Sequence, residues 1–387
     1  AAAVAVAIPV VVVAVVSVLY YQRGRVEQFE QYLAQARAQI ELARAQPDPL
    51  SAAPYYRDSL SALDRAEVYF STEETLSLRL ESRNALDQLD GITRLNFRPA
   101  VVNGLGREAH ISALAVGRNN IYALDSAANA VRLLRATAVG YDFDANFGCS
   151  PAQVFNLQMG ALVAIAWYPD PTLLSETGAL LALDSTGSVL YCAPDKPSAA
   201  ARPDEPPGGW VQPIAIDVFA GRLYVLDVGA NALWVYNSVS GVFNQPPEPY
   251  FAVSYDLSDV IDFAIAQSSG ALYLLHADGR LSVCERNNAG NVLCSEQEYT
   301  DNRAGRQSGP RIDGAIPARL LYDAPPEPSL YFLDTFADGL VQYSLRLFFQ
   351  RQFRALNPLP GPISAMAVGP NKEVFVAVDN SVYVANR

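Results

Sequence analysis

The fold of this chain is decided by three short pieces of sequence: Ala215–Val218 (AIDV), Leu223–Asp227 (LYVLD) and Asn231–Tyr236 (NALWVY). Each piece is a run of mainly apolar, β-branched or aromatic residues, and Gly, Asn and Asp lie between the pieces. This pattern predicts three consecutive β-strands, of which the second ends at Asp227.

The same three-piece phrase occurs six times along the chain. Its second piece ends in aspartate or an equivalent residue at positions 125, 184, 227, 276, 334 and near 379, in steps of 43 to 59 residues, with His276 in place of the acid once. Such a period, with several short strands per unit, is typical of propeller blades. Alternating βα units would need helical patterns between the strands, and none is present. We therefore predict an all-β six-bladed β-propeller over residues 92–387.

Ring closure is expected to involve the two ends of the propeller. The last copy ends at Arg387 without a fourth strand, and Thr93–Phe97 lies just before the first copy. Joining the two ends in one blade removes an open sheet edge. We therefore expect the strand 93–97 to complete the last blade.

Residues 1–22 are predicted to form a transmembrane helix. The first 21 residues carry no charge, and about 20 residues of helix cross the apolar core of a bilayer. A signal-peptide core is the alternative, although such cores are shorter. The expected topology is a single pass through the cell membrane, with residues 1–21 in contact with the lipid bilayer.

Residues 23–91 are predicted to form a short α-helical stalk. Apolar residues recur in steps of three and four from Val26 to Ala43, which indicates a helix with a narrow apolar seam. Pro47 ends this helix, Ser71–Glu74 has the pattern of a capping box, and Asp90-Gly91 ends the last helix. The seam either docks a partner or packs within the stalk, and the sequence leaves both possibilities open.

Charge and cysteine content restrict the partners and the compartment. The net charge of −12 excludes nucleic acid as a partner, because phosphate backbones need a basic surface. A turn-rich stretch between Cys284 and Cys294 predicts a disulfide across a hairpin, with buried free thiols as the alternative; whether Cys149 and Cys192 are bridged stays open. A disulfide favours an oxidising compartment.

Membrane orientation is therefore predicted with the propeller on the extracytoplasmic side. Arg23 and Arg25 lie on the propeller side of the apolar segment and favour the opposite orientation by the positive-inside rule. The predicted disulfide and the acidic, lysine-poor composition outweigh these two arginines.

The repeated phrase resembles a known class of propeller. Asp125 with Asn129, and Asp227 with Asn231, fit a strand that ends in aspartate and is followed by an asparagine turn. This phrase resembles the repeats of NHL-type and related bacterial six-bladed propellers, over roughly residues 92–387, although the arginine that follows asparagine in that family is alanine here. The resemblance implies a bacterial propeller outside the membrane on a single span, in some receptors joined to a cytoplasmic kinase or phosphatase.

Two groups of polar residues are candidates for a ligand site. A recurring aspartate at a strand end usually accepts hydrogen bonds from its own turn, so we interpret the repeat aspartates as structural. Asp217, Asp262 and Arg319 are predicted to lie near the propeller axis, where they either bind a ligand or pair with one another.

A weak calcium candidate consists of Asp142, Asp144 and Asn146, which have the alternating oxygen ligands that open a calcium loop. Phe147 and Gln153 stand where such a loop has glycine and glutamate. Alternation of a strand into a turn explains the same residues.

The chain carries no sequence motif that requires catalysis. It has no phosphate-binding loop and no zinc site of normal spacing, and a Ser-His-Asp triad would need His110 or His276 without any GxSxG motif. We therefore predict a membrane-anchored, non-enzymatic propeller without a cofactor, which binds or scaffolds protein partners in a membrane-associated assembly. The alternatives are the extracytoplasmic sensor domain of a receptor whose catalytic part lies upstream of residue 1, and a metal-dependent propeller hydrolase.

Overall fold

The computed structural model describes residues 2–154, 157–287, 289–324 and 326–387, with side chains of the first helix from residue 16 onward. The chain divides into two compact units, residues 1–92 with 303–305 and residues 93–302 with 306–387. In the described part, no helix combines the length and the apolar character that a bilayer span requires. The predicted transmembrane helix over 1–22 falls mostly on residues 1–15, whose side chains lie outside the described residues, so it stays a prediction.

The first unit contains three helices: α1 (Ala2–Arg44), α2 (Pro49–Glu67) and α3 (Glu73–Asp90). The capping box predicted at Ser71–Glu74 is displaced by one residue. The hydroxyl of Thr72 accepts the N–H of Thr75, and the hydroxyl of Thr75 accepts the N–H of Thr72. A threonine hydroxyl replaces the expected glutamate because one acceptor oxygen is all that this position needs.

The apolar seam of α1 is buried within its own unit. Phe29, Leu33 and Ala36 belong to one buried cluster with residues of α2 around Leu63. Val26, the first residue of the seam, remains 48 % exposed. Of the two possibilities left open by the sequence, the structure shows the seam packing within the helical unit.

The second unit is a six-bladed β-propeller, which confirms the predicted fold. Two short strands precede the first blade, β1 (Ile92–Leu95) and β2 (Arg98–Pro99). The first blade comprises β3 (Ile111–Gly117), β4 (Asn120–Asp125), β5 (Ala130–Ala136) and β6 (Tyr141–Asp144). The second comprises β7 (Leu162–Tyr168), β8 (Ala179–Asp184), β9 (Val189–Cys192) and β10 (Ala199–Ala201). The third comprises β11 (Pro213–Phe219), β12 (Arg222–Asp227), β13 (Ala232–Asn237) and β14 (Glu248–Pro249).

The last three blades follow the same antiparallel order. The fourth comprises β15 (Val260–Ile265), β16 (Leu272–His276), β17 (Leu281–Arg286) and β18 (Val292–Gln297). The fifth comprises β19 (Pro317–Asp323), β20 (Ser329–Asp334), β21 (Gly339–Ser344) and β22 (Phe349–Ala355). The sixth comprises β23 (Ile363–Val368), β24 (Glu373–Val378) and β25 (Ser381–Asn386). The first strand of each blade is innermost, and the six inner strands contact one another in a closed ring.

Ring closure uses a different segment from the predicted strand 93–97. β2 pairs with β25 and completes the sixth blade, with Arg98 opposite Val384 and Pro99 opposite Tyr383. A proline is tolerated there because the outermost strand has no further neighbour that needs its N–H. β1, which holds most of the predicted segment, instead pairs with β22 as a fifth strand of the fifth blade, where Leu95 is buried.

The recurring residue of the phrase has one position in every blade. It ends the second strand and lies opposite the first residue of the inner strand: Asp125, Asp184, Asp227, His276 and Asp334. In the sixth blade Val378 takes this position opposite Ile363, one residue before the position near 379 that the spacing predicts. The sixth blade therefore has an apolar residue where the other blades have a hydrogen-bonding side chain.

Candidate functional site

The six inner strands enclose an axial channel of about 530 Å³. Each inner strand has a β-bulge after its first residue, and the residue after the bulge pairs with the neighbour of the recurring position. These equivalent residues form one level of the channel: Ala113, Ala164, Ala215, Asp262, Arg319 and Ala365. The predicted channel residues Asp217, Asp262 and Arg319 all line this cavity. Most of the remaining lining is apolar.

The two channel aspartates each join neighbouring blades. Asp217 accepts the N–H of Val218 at 2.7 Å and the N–H of Ile265 in the fourth blade at 3.0 Å. Asp262 accepts the next N–H of its own strand and the N–H of Leu320 in the fifth blade, both at 2.9 Å. An inner strand is an edge strand, so alternate N–H groups have no strand partner and need another acceptor. The carboxylates supply it.

Burial raises the pKa of both channel carboxyls. Removal from water raises the pKa of Asp217 to about 7, the amide hydrogen bonds oppose this, and the like charge of Asp262 adds to it. Burial also raises the pKa of Asp262, while the positive charge of Arg319 lowers it. Asp217 is therefore close to half protonated at neutral pH.

Arg319 is the cation of the channel. Its side chain is exposed to the channel and, within the described part of the chain, forms no ion pair and no hydrogen bond. Asp262 accepts one backbone amide on each carboxylate oxygen, and Arg319 acts on this carboxyl through its charge. The pairing of Arg319 with an aspartate, one of the two possibilities left open by the sequence, is thus not formed in the described residues.

The repeat aspartates hold the loops that lead into the blades. Asp227 is fully buried and accepts the N–H groups of Val211, Gln212 and Ala230 at 2.7–3.0 Å. Asp334 accepts the N–H of Ile316 at 2.9 Å in the same way. These contacts agree with the structural interpretation of the repeat.

The loops held in this way gather at one end of the propeller. Each runs from the fourth strand of one blade to the inner strand of the next, so alternation of strand direction places all six at the same end. Five carry a large aliphatic side chain that is 45–82 % exposed: Val102, Val211, Val253, Ile316 and Leu356. Phe336, 72 % exposed, lies on the turn whose Thr335 N–H binds the Ile316 carbonyl. We call this end, defined by these six residues, the inter-blade face.

Sequence reasoning missed the inter-blade face. A single exposed valine or isoleucine in a loop is ordinary, and these residues are far apart in the chain. The signal in the sequence was that all of them except Phe336 lie on a loop that leads into an inner strand, which becomes visible once the blades are aligned.

The fourth blade contains an arrangement with the geometry of a hydrolase triad. The Nδ1 of His276 lies 2.7 Å from Oδ1 of Asp259, and its Nε2 lies 2.8 Å from Oγ of Ser282. The hydroxyl of Tyr255 donates to the same Oγ at 3.0 Å. Ser282 has no exposed surface, so a substrate carbonyl has no access to its oxygen. The signal in the sequence was the histidine in place of the repeat aspartate; Asp259 and Ser282 were not predicted.

The weak calcium candidate has a different role in the structure. Asp144 forms an ion pair with Arg135 at 2.6 Å and accepts the N–H of Asn146 at 3.0 Å. Arg135 also pairs with Asp195. Asp144 and Asn146 thus form a turn in which the carboxylate is paired with a guanidinium. No group of three or more potential metal ligands occurs among the His, Cys, Asp and Glu residues that the structure describes.

Both cysteine pairs are joined. Cys284 and Cys294 lie directly opposite each other on β17 and β18 and form a disulfide, as the hairpin pattern predicts. Cys149 and Cys192 form a second disulfide between the loop after the first blade and the third strand of the second blade. The sequence had left this second pair open because nothing local brings the two residues together.

No protein-family model and no curated protein matches the chain. Among solved structures, a putative gluconolactonase is similar over 78 % of this chain and 95 % of its own, with a TM-score of 0.50 and 12 % identity. A streptogramin B lyase is similar over 76 % and 97 %, with a TM-score of 0.46 and 11 % identity. The calcium-binding protein regucalcin from Agrobacterium tumefaciens is similar over 76 % and 94 %, with a TM-score of 0.46 and 10 % identity. At these identities the likeness shows the propeller fold alone.

Proposed function

We propose that the propeller is a non-enzymatic binding module that holds a protein partner on its inter-blade face. The observation that carries the proposal is the recurrence of an exposed aliphatic side chain on five of the six inter-blade loops, in the part of the chain that the structure describes. Single exposed apolar residues are normal on a surface, whereas a contiguous apolar patch rimmed by polar residues is typical of an interaction site, and the proposal takes these five side chains as parts of one patch.

Two loops of the inter-blade face are hydrogen-bonded to repeat aspartates next to their exposed side chains. The N–H of Val211 is bound to Asp227 and the N–H of Ile316 is bound to Asp334, at 3.0 and 2.9 Å. A loop that is already ordered loses little conformational entropy on binding, so more of the apolar burial contributes to affinity. Removing apolar surface from water contributes roughly 25 cal/mol per Å² before those costs.

The alternative of a metal-dependent hydrolase receives no support from the channel carboxylates. Asp217 and Asp262 are engaged by four backbone amides, two each. A hydrolytic metal needs several such ligands, and in the described part of the chain the His, Cys, Asp and Glu residues do not form a group of three or more. The buried Ser282 likewise favours a structural role for the triad-like network of the fourth blade.

The compartment and the anchor belong to the same proposal. Two disulfides support an oxidising, extracytoplasmic location for the propeller. The uncharged stretch over residues 1–21 supports attachment to the cell membrane. The proposed protein is thus a membrane-anchored module whose propeller binds a protein outside the cytoplasm.

The test is site-specific photo-crosslinking of the full chain in native membranes. A photoreactive residue at Val253 on the inter-blade face should crosslink one protein in stoichiometric yield, identified by mass spectrometry. The same residue at Val139, on a hairpin turn at the opposite end and fully exposed, is the matched control and should not crosslink it.

A set of substitutions completes this test. Val211→Ser, Val253→Ser and Ile316→Ser together should abolish co-purification of the crosslinked protein, while Val139→Ser, Leu173→Ser and Val239→Ser at the opposite end should retain it. Equal crosslinking from both ends would contradict the proposed face. A partner-free chain with an upstream kinase or phosphatase domain would support the receptor alternative instead.

A further inference from the structure

The backbone N–H groups of the inner strands bind two carboxylates that belong to the channel itself. Asp217 and Asp262 each accept two channel-facing N–H groups, one from their own inner strand and one from the next blade. The two arrangements are the same, although they lie two residues apart along the strand. They bridge the third blade to the fourth and the fourth to the fifth.

At the next boundary, between the fifth and sixth blades, an arginine stands where the fourth blade has an aspartate. Arg319 is the residue equivalent to Asp262, and Met366 in the sixth blade is equivalent to Leu320, whose N–H binds Asp262. No described side chain accepts the N–H of Met366. A guanidinium has only donors, so it cannot accept this N–H in the way that a carboxylate does.

Arg319 therefore offers the channel a guanidinium that has no hydrogen-bond partner among the described residues, and the Asp262 carboxyl interacts with it only through its charge. Its planar fork of N–H groups fits both oxygens of one carboxylate. Past Arg319, the channel wall formed by the sixth, first and second blades carries small apolar side chains. These are Ala365, Ala113 and Ala164.

We propose that the axial channel binds a small monocarboxylate with an apolar body. The carboxylate pairs with Arg319 and accepts the N–H of Met366, and the apolar body lies along the alanine wall. A single guanidinium balances one negative charge, and the two neighbouring aspartates disfavour a dianion such as a phosphate monoester. The site is separate from the inter-blade face and does not depend on the function proposed for it.

The test is isothermal titration of the full chain in lipid nanodiscs with 3-phenylpropanoate, corrected with empty nanodiscs. The matched neutral and cationic probes are 3-phenylpropanol and 3-phenylpropylamine. The acid should bind about tenfold or more tightly than the alcohol, as expected for a charge-assisted pair of hydrogen bonds, and the amine should not bind.

Variants of one residue locate the site. Arg319→Gln should weaken binding of the acid about tenfold or more with an unchanged melting temperature, because the side chain bonds to no described residue. Arg319→Lys keeps the positive charge but loses the planar pair of N–H donors. Its affinity for the acid should lie between those of the wild type and Arg319→Gln. The matched control is Arg107→Gln, on an exposed loop, which should bind like the wild type.

The proposal is overturned by any of three results. The first is equal affinity for the acid and the alcohol. The second is unchanged affinity in folded Arg319→Gln. The third is no heat of binding from the acid at millimolar concentration with the folded wild-type chain.

Discussion

The third and fourth blades place different chemistry at the same position of the same fold. In the third blade, buried Asp227 accepts three backbone N–H groups from the incoming loop and its own turn. In the fourth blade, His276 takes that position and binds two side chains, Asp259 and Ser282. Both arrangements join the incoming loop to the blade.

The aspartate and the histidine differ in how many other residues must have a particular side chain. Asp227 is served by main-chain donors, so the side chains of Val211 and Gln212 are free to face the solvent. His276 needs a carboxylate and a hydroxyl, so three positions of the fourth blade must agree. A Ser-His-Asp geometry thus arises here from satisfying a buried histidine, and the burial of Ser282 separates it from a hydrolase site.

The strongest test of this comparison is Asp227→Ala in the third blade. It leaves three partly buried N–H groups without this acceptor, so we expect the free energy of unfolding to fall by about 3 kcal/mol. Urea denaturation measures the change. Asp227→Asn keeps one acceptor oxygen and should lose less stability. A loss under about 1 kcal/mol for the alanine variant would contradict the role of Asp227 in holding the incoming loop.

The fourth blade carries a covalent link that the third blade lacks. Replacing both Cys284 and Cys294 with alanine opens a loop with a sequence separation of 10 residues. We expect a loss of about 2.5 kcal/mol in the free energy of unfolding, from the added freedom of the unfolded chain. Denaturation with and without a reductant measures this loss. The reductant should lower the free energy of unfolding of the wild type. It should have no effect on a variant in which Cys149 and Cys192 are replaced as well.

Ser282→Ala tests whether the triad-like network is structural. Loss of the hydroxyl removes its contacts with His276 and Tyr255, and we expect the free energy of unfolding to fall by about 1–2 kcal/mol. Hydrolysis of an activated ester should not change. Ser258→Ala, on an exposed loop, is the matched control and should have little effect on stability; a fall in ester hydrolysis confined to Ser282→Ala would restore the catalytic interpretation.

The smallest effect is expected from Asp217→Asn near pH 4, under about 1 kcal/mol, because the amide resembles the neutral carboxyl that the folded chain holds at that pH. The pKa of Asp217 is about 7 in the folded chain, against about 3.9 in an unfolded one. The folded state therefore holds the extra proton between these values, so wild-type stability should fall as the pH rises from about 4 to 7 and level off above it.

The variant should lose this part of the pH dependence. Unfolding free energies from pH 4 to 8 measure it, with Asp256→Asn as a control on an exposed loop. Asp262→Asn should remove a dependence of the same sign, because burial raises the pKa of that carboxyl too. An unchanged slope in Asp217→Asn would place the titrating group elsewhere.

Much of the fold could be predicted from the repeat, and part of the site could not. Asp217, Asp262 and Arg319 were placed at the axis because inner strands are recognisable from the phrase, and all three line the channel. The closing strand was misplaced because β1 and β2 are short neighbouring segments, and only their partners, β22 and β25, distinguish them. The inter-blade face was missed because exposure of an aliphatic residue leaves no local pattern.

The sequence by itself determined the strands, their turns, the number of blades and the helices before them. These features depend on contacts between residues close in the chain, which periodicity and turn chemistry record. The tertiary structure alone decided the contacts across blade boundaries, such as the carboxylate of Asp217 on the amide of Ile265, 48 residues away. It also buried Ser282 and left Arg319 without a hydrogen bond to any residue that the structure describes, because both outcomes depend on which side chains the closed ring brings together.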